Sequence, residues 1–156
     1  MTFAVPTPAQ YEGMSRWLRW YRCRFLGDPR TPDLCIIDER HFYLRGELEV
    51  PVTDGRSPFV WGVWVSLSQT SFERTLEIWQ TPGRESEPPQ FGWLSVQLPL
   101  YPPTFNLKAM VHTRPVGIRP YVELEPTDHP LAVEQRSGIT MARATELALD
   151  LLHGET

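Results

Sequence analysis

Cysteine and histidine are scarce in this chain, which holds two of the first, Cys23 and Cys35, and four dispersed copies of the second. These residues cannot fill any of the spaced ligand patterns of a structural zinc, so no metal is assigned. A chain of this size with its own core needs no disulfide, and both thiols are expected free in a reducing compartment. A glycine-rich phosphate loop is also missing. The nearest stretch, "GRESEPPQFG", has neither the Lys-Ser/Thr ending nor a following helix, which excludes nucleotide binding by that route and leaves no cofactor to assign. The opening "MTFAVPTPAQYEG" lacks the basic and then apolar regions of a secretory leader, and no window reaches the roughly eighteen apolar residues of a membrane span. A cytoplasmic location without membrane contact is the expectation. Excess positive charge is absent too: 15 Lys and Arg against 19 Asp and Glu leave a net charge of -4. Nucleic-acid binders carry a basic stripe, so no nucleic-acid partner is expected. There is no internal repeat.

What is present belongs to a globular protein. The 156 residues are 41% hydrophobic and 22% charged, with six Trp, seven Phe and five Tyr, a composition that disordered chains do not have. That length fits one domain, 1–156, with an N-terminal helical segment over 1–30. Residues 8–25 read as one amphipathic helix. Thr7 is the expected cap, Pro8 suits the first turn, and Tyr11, Met14, Leu18, Tyr21 and Phe25 form a core stripe ended by Gly27. Arg16, Arg19, Arg22 and Arg24 surround the stripe with Trp17 and Trp20, a face that is expected to be solvated and is also suited to an acidic partner or a membrane surface.

Strands are expected at "LCIID" and "HFYLRGELEVPV", joined by a turn over 38–41. The strongest strand is "PFVWGVWVSLS", apolar on both faces and therefore central and covered. Gly62 between Trp61 and Trp64 admits a close approach, with a neighbouring ring as the expected occupant. Ser71 is the expected cap of a middle helix running to about Gln80, with Phe72, Leu76 and Trp79 on one side, followed by the polar loop "TPGRESEPPQ". Further strands read at "FGWLSVQLP", "FNLKAMVHTRP" and "IRPYVELEP". The C-terminus reads as a short helix stopped by Gly138 and a longer one capped by Thr140 that buries Ala144, Leu147, Ala148 and Leu151. The order predicts an α+β fold with a single twisted, mainly antiparallel sheet, an N-terminal helix, one middle helix and C-terminal helices.

The densest polar stretch is "ELEPTDHPLAVEQ", residues 123–135. His112, Asp128, His129 and Glu134 are the candidate catalytic set of a small-ligand or metal-binding enzyme, provided that they converge. Without convergence no catalytic residue is assigned, and local chemistry explains the stretch: Pro130 in a first helical turn places His129 at the cap, with Asp128 and Thr127 able to accept from orphaned backbone donors. A Cys–His nucleophile built on Cys35 is disfavoured, because that thiol sits in an apolar strand. "LPLYPPTFNLK" is a rigid connection or the rim of a groove. Arg45, Arg114 and Arg119 near strand ends offer planar forks for carboxylate, phosphate or an acidic protein surface, with ion pairing as the competing role.

The runs "DLCIID", "FYLRGELEVPV", "FVWGVWVSLSQTSFER", "FGWLSVQLPLYP" and "LKAMVHTRPVGIRPYVELEPTDHPLAVEQRSGIT" together resemble the bacterial family catalogued as domain of unknown function 2199, over about residues 33–153. The resemblance implies no activity and no catalytic residues. It does imply, for many members, an opening Cys-x-x-Cys and nearby His that look like a small zinc element. Residues 1–34 here cannot supply four such ligands, so the resemblance brings no zinc to this chain.

The leading expectation is a bacterial cytoplasmic protein-interaction module, of the kind that neutralises a toxin as an immunity protein. It rests on small size, acidic charge, the lack of a catalytic set, and the Trp and Arg types enriched at interface hot spots, with Trp61, Trp64, Arg45, Arg114 and Arg119 as candidate binding residues. The alternative is the His/carboxylate enzyme. A homo-oligomer is a further expectation.

Overall fold

Eight strands and five helices form in a computed structural model that describes residues 1–154. In chain order they are β1 (Thr2–Ala4), α1 (Ala9–Glu12), α2 (Arg16–Arg22), β2 (Cys23–Gly27), β3 (Pro32–Ile37), β4 (His41–Val50), β5 (Phe59–Leu67), α3 (Gln69–Glu77), β6 (Gln90–Leu94), β7 (Lys108–His112), β8 (Tyr121–Leu124), α4 (Pro130–Ser137) and α5 (Met141–Gly154). The α+β class and the mainly antiparallel pairing agree with the sequence reading. The single twisted sheet does not.

Strands β4 to β8 run as an antiparallel meander, and β8 then returns to lie beside β4, so five strands close into a barrel. Alternating strands of odd number can close only through one parallel pair. Here that pair is Glu47 opposite Tyr121, with the Glu47 N–H donating to the Pro120 carbonyl at 2.8 Å. Periodicity within each strand marks its apolar face but not whether the last strand meets the first. Closure was therefore outside its reach. β1 adds in parallel to the β5 edge, while β3 and β2 extend outward from β4.

Alternate residues fill the barrel: Leu44, Leu48 and Val50 from β4, Phe59, Trp61, Val63 and Val65 from β5, then Leu94, Ala109, Val111, Val122 and Leu124, all buried. A barrel of so few strands is narrow, so bulk at some positions requires its absence at others. At Gly92 a Cβ would stand 2.4 Å from Val65 Cγ1 and 2.7 Å from the Ser66 carbonyl oxygen; at Gly46 it would stand 2.6 Å from Val122 Cγ2. What crowds Gly62 is strand β1, not the expected ring: a Cβ there would lie 2.9 Å from Ala4 Cβ.

The β8–β4 contact spans a single residue pair, so the next backbone groups of β8 need other partners. Gln135 of α4 supplies them from its buried amide. Its Oε1 accepts from Leu124 N–H at 2.8 Å, and its Nε2 donates to the Val122 carbonyl at 2.8 Å and to the Tyr121 hydroxyl at 3.3 Å. One side chain thus continues the ladder where strand pairing ends. His129 and Pro130 start α4 as expected, and Gly138 stops it at φ 81°. The cap itself is the His129 ring, whose Nδ1 accepts from Leu131 N–H at 3.1 Å. Thr127 accepts from His129 N–H, while Asp128 takes no such bond. Thr140 caps α5, which buries Ala144 and Leu147 and leaves Ala148 and Leu151 half-buried.

The N-terminal segment corrects the single expected helix over 8–25. Gly13 interrupts it, Ser15 rather than Thr7 caps the longer piece by accepting from Leu18 N–H, and residues 23–27 leave helical geometry to pair with β3. Pairing wins because it packs the Phe25 ring edge-on against Tyr11 and Trp64, at centroid distances of 5.0 and 6.2 Å. The middle helix begins one turn earlier than expected, capped by Ser68, which accepts from Ser71 N–H. Phe72 is its buried residue, tilted on Phe42 at 5.0 Å; Leu76 is exposed.

The β3–β4 turn, residues 38–40, places both Asp38 and Glu39 at positive φ, 57° and 56°, and is closed by Arg40 N–H donating to the Ile37 carbonyl at 3.2 Å. It is tied to the N-terminal segment: Arg22 Nε and NH2 bond the two Asp38 oxygens, Asp38 N–H donates to the Arg22 carbonyl at 2.9 Å, and Arg24 pairs with Glu39 at 2.7 Å.

Two expectations follow. Gln135→Leu leaves a buried N–H and carbonyl of β8 unpaired and lowers the unfolding free energy by about 2–4 kcal/mol in urea titration, at roughly 1–3 kcal/mol per orphaned group. Hydrogen bonding from Arg22 holds the Asp38 carboxyl below its usual range. A carboxyl whose folded pKa is lowered contributes stability above its unfolded pKa and loses it as pH falls through the folded one. Asp38→Asn therefore unfolds more easily than the parent near neutral pH, and the difference vanishes in acid; a gap that persisted in strong acid would contradict the pairing.

Candidate functional site

Strand β4 changes neighbours along its length. β3 pairs with it over His41–Leu44 and β8 takes over at Glu47, so Arg45 stands where the two partners part. Its outward-facing companions are Tyr43, Glu47 and Glu49. Leu34 lies opposite Leu44, which sets the preceding Asp33 beside Arg45. Asp33 is already engaged, its Oδ1 accepting from Arg119 Nε at 3.1 Å. Arg45 is 7% exposed, with its guanidinium over the Trp64 ring at 5.7 Å. Its Nε is buried without a hydrogen-bond partner, and among the described residues it makes no ion pair. Burial and the nearby Arg119 charge push its pKa down, while Asp33 opposes them. Asp33 thus pairs with Arg119, and Arg45 feels both charges without bonding either.

A cavity of about 460 Å³ lies beside the Asp33–Arg119 pair, lined by Asp33, Glu47, Arg84 and Arg119 with Trp79, Ile118 and Pro120 among its apolar surfaces; Arg45 is not part of its lining. Its outer wall, the loop between β7 and β8, is held by Arg84, a residue that sequence reasoning missed. Arg84 is buried in a short 3-10 turn, Arg84–Ser86, and donates to the carbonyls of Trp79, Arg114, Pro115 and Ile118 at 2.7–3.1 Å. A lone arginine in the polar, proline-rich "TPGRESEPPQ" carries no signal of such a role. Arg114 lies nearby but is occupied, 3.1 Å from Glu49 and 5.3 Å over the Tyr121 ring.

The expected His/carboxylate set is dispersed into separate partnerships. His112 Nε2 sits 3.5 Å from Glu123 Oε1 without a hydrogen bond, beside the Tyr121 ring. His129 uses Nδ1 as a helix cap, which puts its proton on Nε2, 3.0 Å from the Pro103 carbonyl. Glu134 accepts from the Tyr101 hydroxyl at 2.5 Å and pairs with Arg143 at 3.1 Å. Burial, then that carboxylate, pushes the Tyr101 pKa up. Asp128 is exposed and has no partner among the described residues. Among the described residues no three of His, Cys, Asp and Glu stand together so as to hold a metal ion. Burial raises the Cys35 thiol to about 12, which makes it a poor nucleophile.

Trp61 and Trp64 are fully enclosed, so as folded they are core residues and present no surface to a partner. The exposed aromatics lie on α2, where the expected core stripe fails at Tyr21. Trp17, Trp20 and Tyr21 are 66%, 81% and 71% exposed, and Trp17 stacks on Tyr21 at 5.6 Å with an interplanar angle of 6°. Arg16 lies one turn before Trp20 and has no ion-pair partner among the described residues. The helix turns its other side inward, where Arg19 donates to the Tyr11 and Glu12 carbonyls and stacks over the Tyr11 ring.

No helix among the described residues is long and apolar enough to cross a membrane. No curated protein and no solved structure matches the chain. One family model does, over residues 1–139, a span that begins earlier than the resemblance from residue 33 and takes in α1 and α2, while stopping before α5. With the helical segment, the fork and the barrel all inside that match, the chain belongs to domain-of-unknown-function family 2199, described as an uncharacterized protein conserved in bacteria.

Proposed function

We propose that this chain is a protein-binding module whose contact surface is the outward face of α2. The observation that carries the reading is the exposure of Trp17, Trp20 and Tyr21 together on a two-turn helix. Monomeric proteins rarely leave contiguous aromatic surface in water, and Trp, Tyr and Arg are the side chains on which interface energy concentrates. The helix is held for presentation. Ser15 caps its start, Arg22 fastens its end to Asp38, and Arg19 anchors its inner side to α1. Arg16 beside the rings gives the surface positive character, so the fitting partner offers an apolar groove with an acidic rim.

A membrane surface is the lesser fit. Arg22 and Arg24 are neutralised by Asp38 and Glu39, and a seven-residue helix with one unpaired arginine offers little of the polybasic attraction that interfacial anchors use. Neutralisation of a toxin is the specific form of the proposal that the chain's small size supports. In that form, the partner harms its host when it is produced without this chain.

A photo-crosslinking residue placed at position 21 tests the surface in the native bacterial host. The expected result is one dominant cross-linked protein, whose affinity for the purified chain falls by roughly 30-fold or more in the Trp17→Ala/Trp20→Ala variant, as for hot-spot truncations of 2 kcal/mol or more. The variant's unfolding midpoint should stay close to that of the parent, because both side chains are exposed. A cross-linked protein retained at full affinity by the double variant would overturn the proposal, as would adsorption to anionic vesicles that depends on Trp20 when no protein is captured.

A further inference from the structure

With α2 as a contact surface, the surface that receives it must offer apolar footing beside free carboxylates. The chain carries such a surface itself, on the outside of the barrel. Inward residues of β6, β7 and β8 alternate with outward ones, and the strand register sets the outward ones in rows. Phe91, Met110 and Glu123 lie abreast in one row. Trp93, Lys108 and Glu125 form the next, with Glu125 N–H donating to the Lys108 carbonyl at 2.9 Å. The face therefore grades from aromatic at β6 to acidic at β8. Phe91 and Trp93 are 47% and 40% exposed and meet edge-on at 5.2 Å. Two shallow hollows of about 190 and 180 Å³ open on the rows and share Lys108, Leu124 and Glu125. Glu125 has no partner among the described residues, and Glu123 has only the His112 ring, 3.5 Å away without a hydrogen bond.

We infer, resting on the reading of α2 as a contact surface, that α2 of one copy docks on the outer face of β6, β7 and β8 of a second copy of this chain. Trp17, Trp20 and Tyr21 pack against Phe91, Trp93 and Met110, and Arg16 reaches the carboxylates of Glu123 and Glu125. Aromatic, Met and Arg side chains are the types enriched where interfaces bury most surface, and both halves of this contact expose them. Lys108 opposes Arg16, but its ammonium lies toward the Trp93 ring at 5.9 Å and leaves the β8 side to two carboxylates. The net charge of -4 repels copies at long range. At physiological salt, charges more than about 8 Å apart are largely screened, so the local match decides. A helix on one copy and a sheet face on the other make the contact heterologous, so every copy brings both halves. A foreign partner of α2 must then compete with a second copy.

Sedimentation of the full chain from micromolar to millimolar concentration tests the pairing. The average mass should climb above that of one chain as concentration rises. Trp17→Ala/Trp20→Ala and Glu123→Lys/Glu125→Lys change exposed positions only, so each should keep the parent's unfolding midpoint and weaken association by about tenfold or more. Mixed in equal amounts, the two variants should form a one-to-one pair, because one keeps its sheet face and the other its α2. Arg16→Glu should weaken association, and combining it with Glu123→Lys/Glu125→Lys, which reverses both signs, should recover it. A parent that stays monomeric to millimolar concentration overturns the pairing, as do Glu123→Lys/Glu125→Lys chains that associate like the parent or mixed variants that stay apart. A monomeric chain that still cross-links a foreign protein from position 21 overturns the second copy alone and leaves α2 as the contact surface. Association and cross-linking that both survive Trp17→Ala/Trp20→Ala overturn the two together.

Discussion

Everything in this fold leans on the meeting of β8 with β4. That contact turns an open meander into a barrel, and it consists of one residue pair, Glu47 with Tyr121, supported by the bond from Glu47 N–H to Pro120. So short a seam would leave buried backbone groups of β8 unpaired, which the Gln135 amide prevents by standing in for the missing strand. The barrel interior can be fully apolar because its weakest edge is sealed by a polar side chain arriving from outside it. The same economy appears at Arg84, where one guanidinium replaces the regular hydrogen bonding that the loop between β7 and β8 lacks. In both places a single side chain with several donors or acceptors does what secondary structure does elsewhere.

Local rules in the sequence reached some of this. A continuous apolar run located β5 closely, since both faces of that strand are covered, and the flanking turn signals located β4. His129, Pro130 and Gly138 marked the ends of α4 because capping chemistry acts over a few residues. Reasoning failed where a distant partner decides. Residues 23–27 have helical spacing and still form a strand, because β3 offers hydrogen bonds and Trp64 offers a ring that a helix would not reach. Tyr21 falls on the wrong side for the same reason: once Phe25 leaves the helix, the stripe no longer has a core to face. Gln135 and Arg84 gave no signal at all, as their importance comes from what lies within hydrogen-bond reach after folding.

The candidate site was legible in residue types but not in their arrangement. Arg45, Arg114 and Arg119 were selected as planar donors, and all three lie along the outer side of β4 and the loop beside it, yet only Arg45 lacks a hydrogen-bonded or ion-paired partner. His112, His129 and Glu134 were grouped by proximity in sequence, and the turn from β8 into α4 gives each a local task instead. The two tryptophans of β5 attracted attention as interface residues and form core, while Trp17 and Trp20, assigned to a solvated face, carry the exposed aromatic surface. Amino-acid type narrows the chemistry. Burial, which depends on the whole chain, assigns it.

The parting of β3 from β8 along β4 has a further meaning for a family spread across bacteria. The notch there is formed by backbones diverging, so its existence follows from topology: a barrel strand that also carries an outward extension must exchange one neighbour for another. The side chains at positions 33, 45, 47 and 119 decorate that notch without sealing the barrel, which is the task of Gln135. Side chains at the notch can therefore change, in charge and in size, while the closure that makes the fold stays as it is.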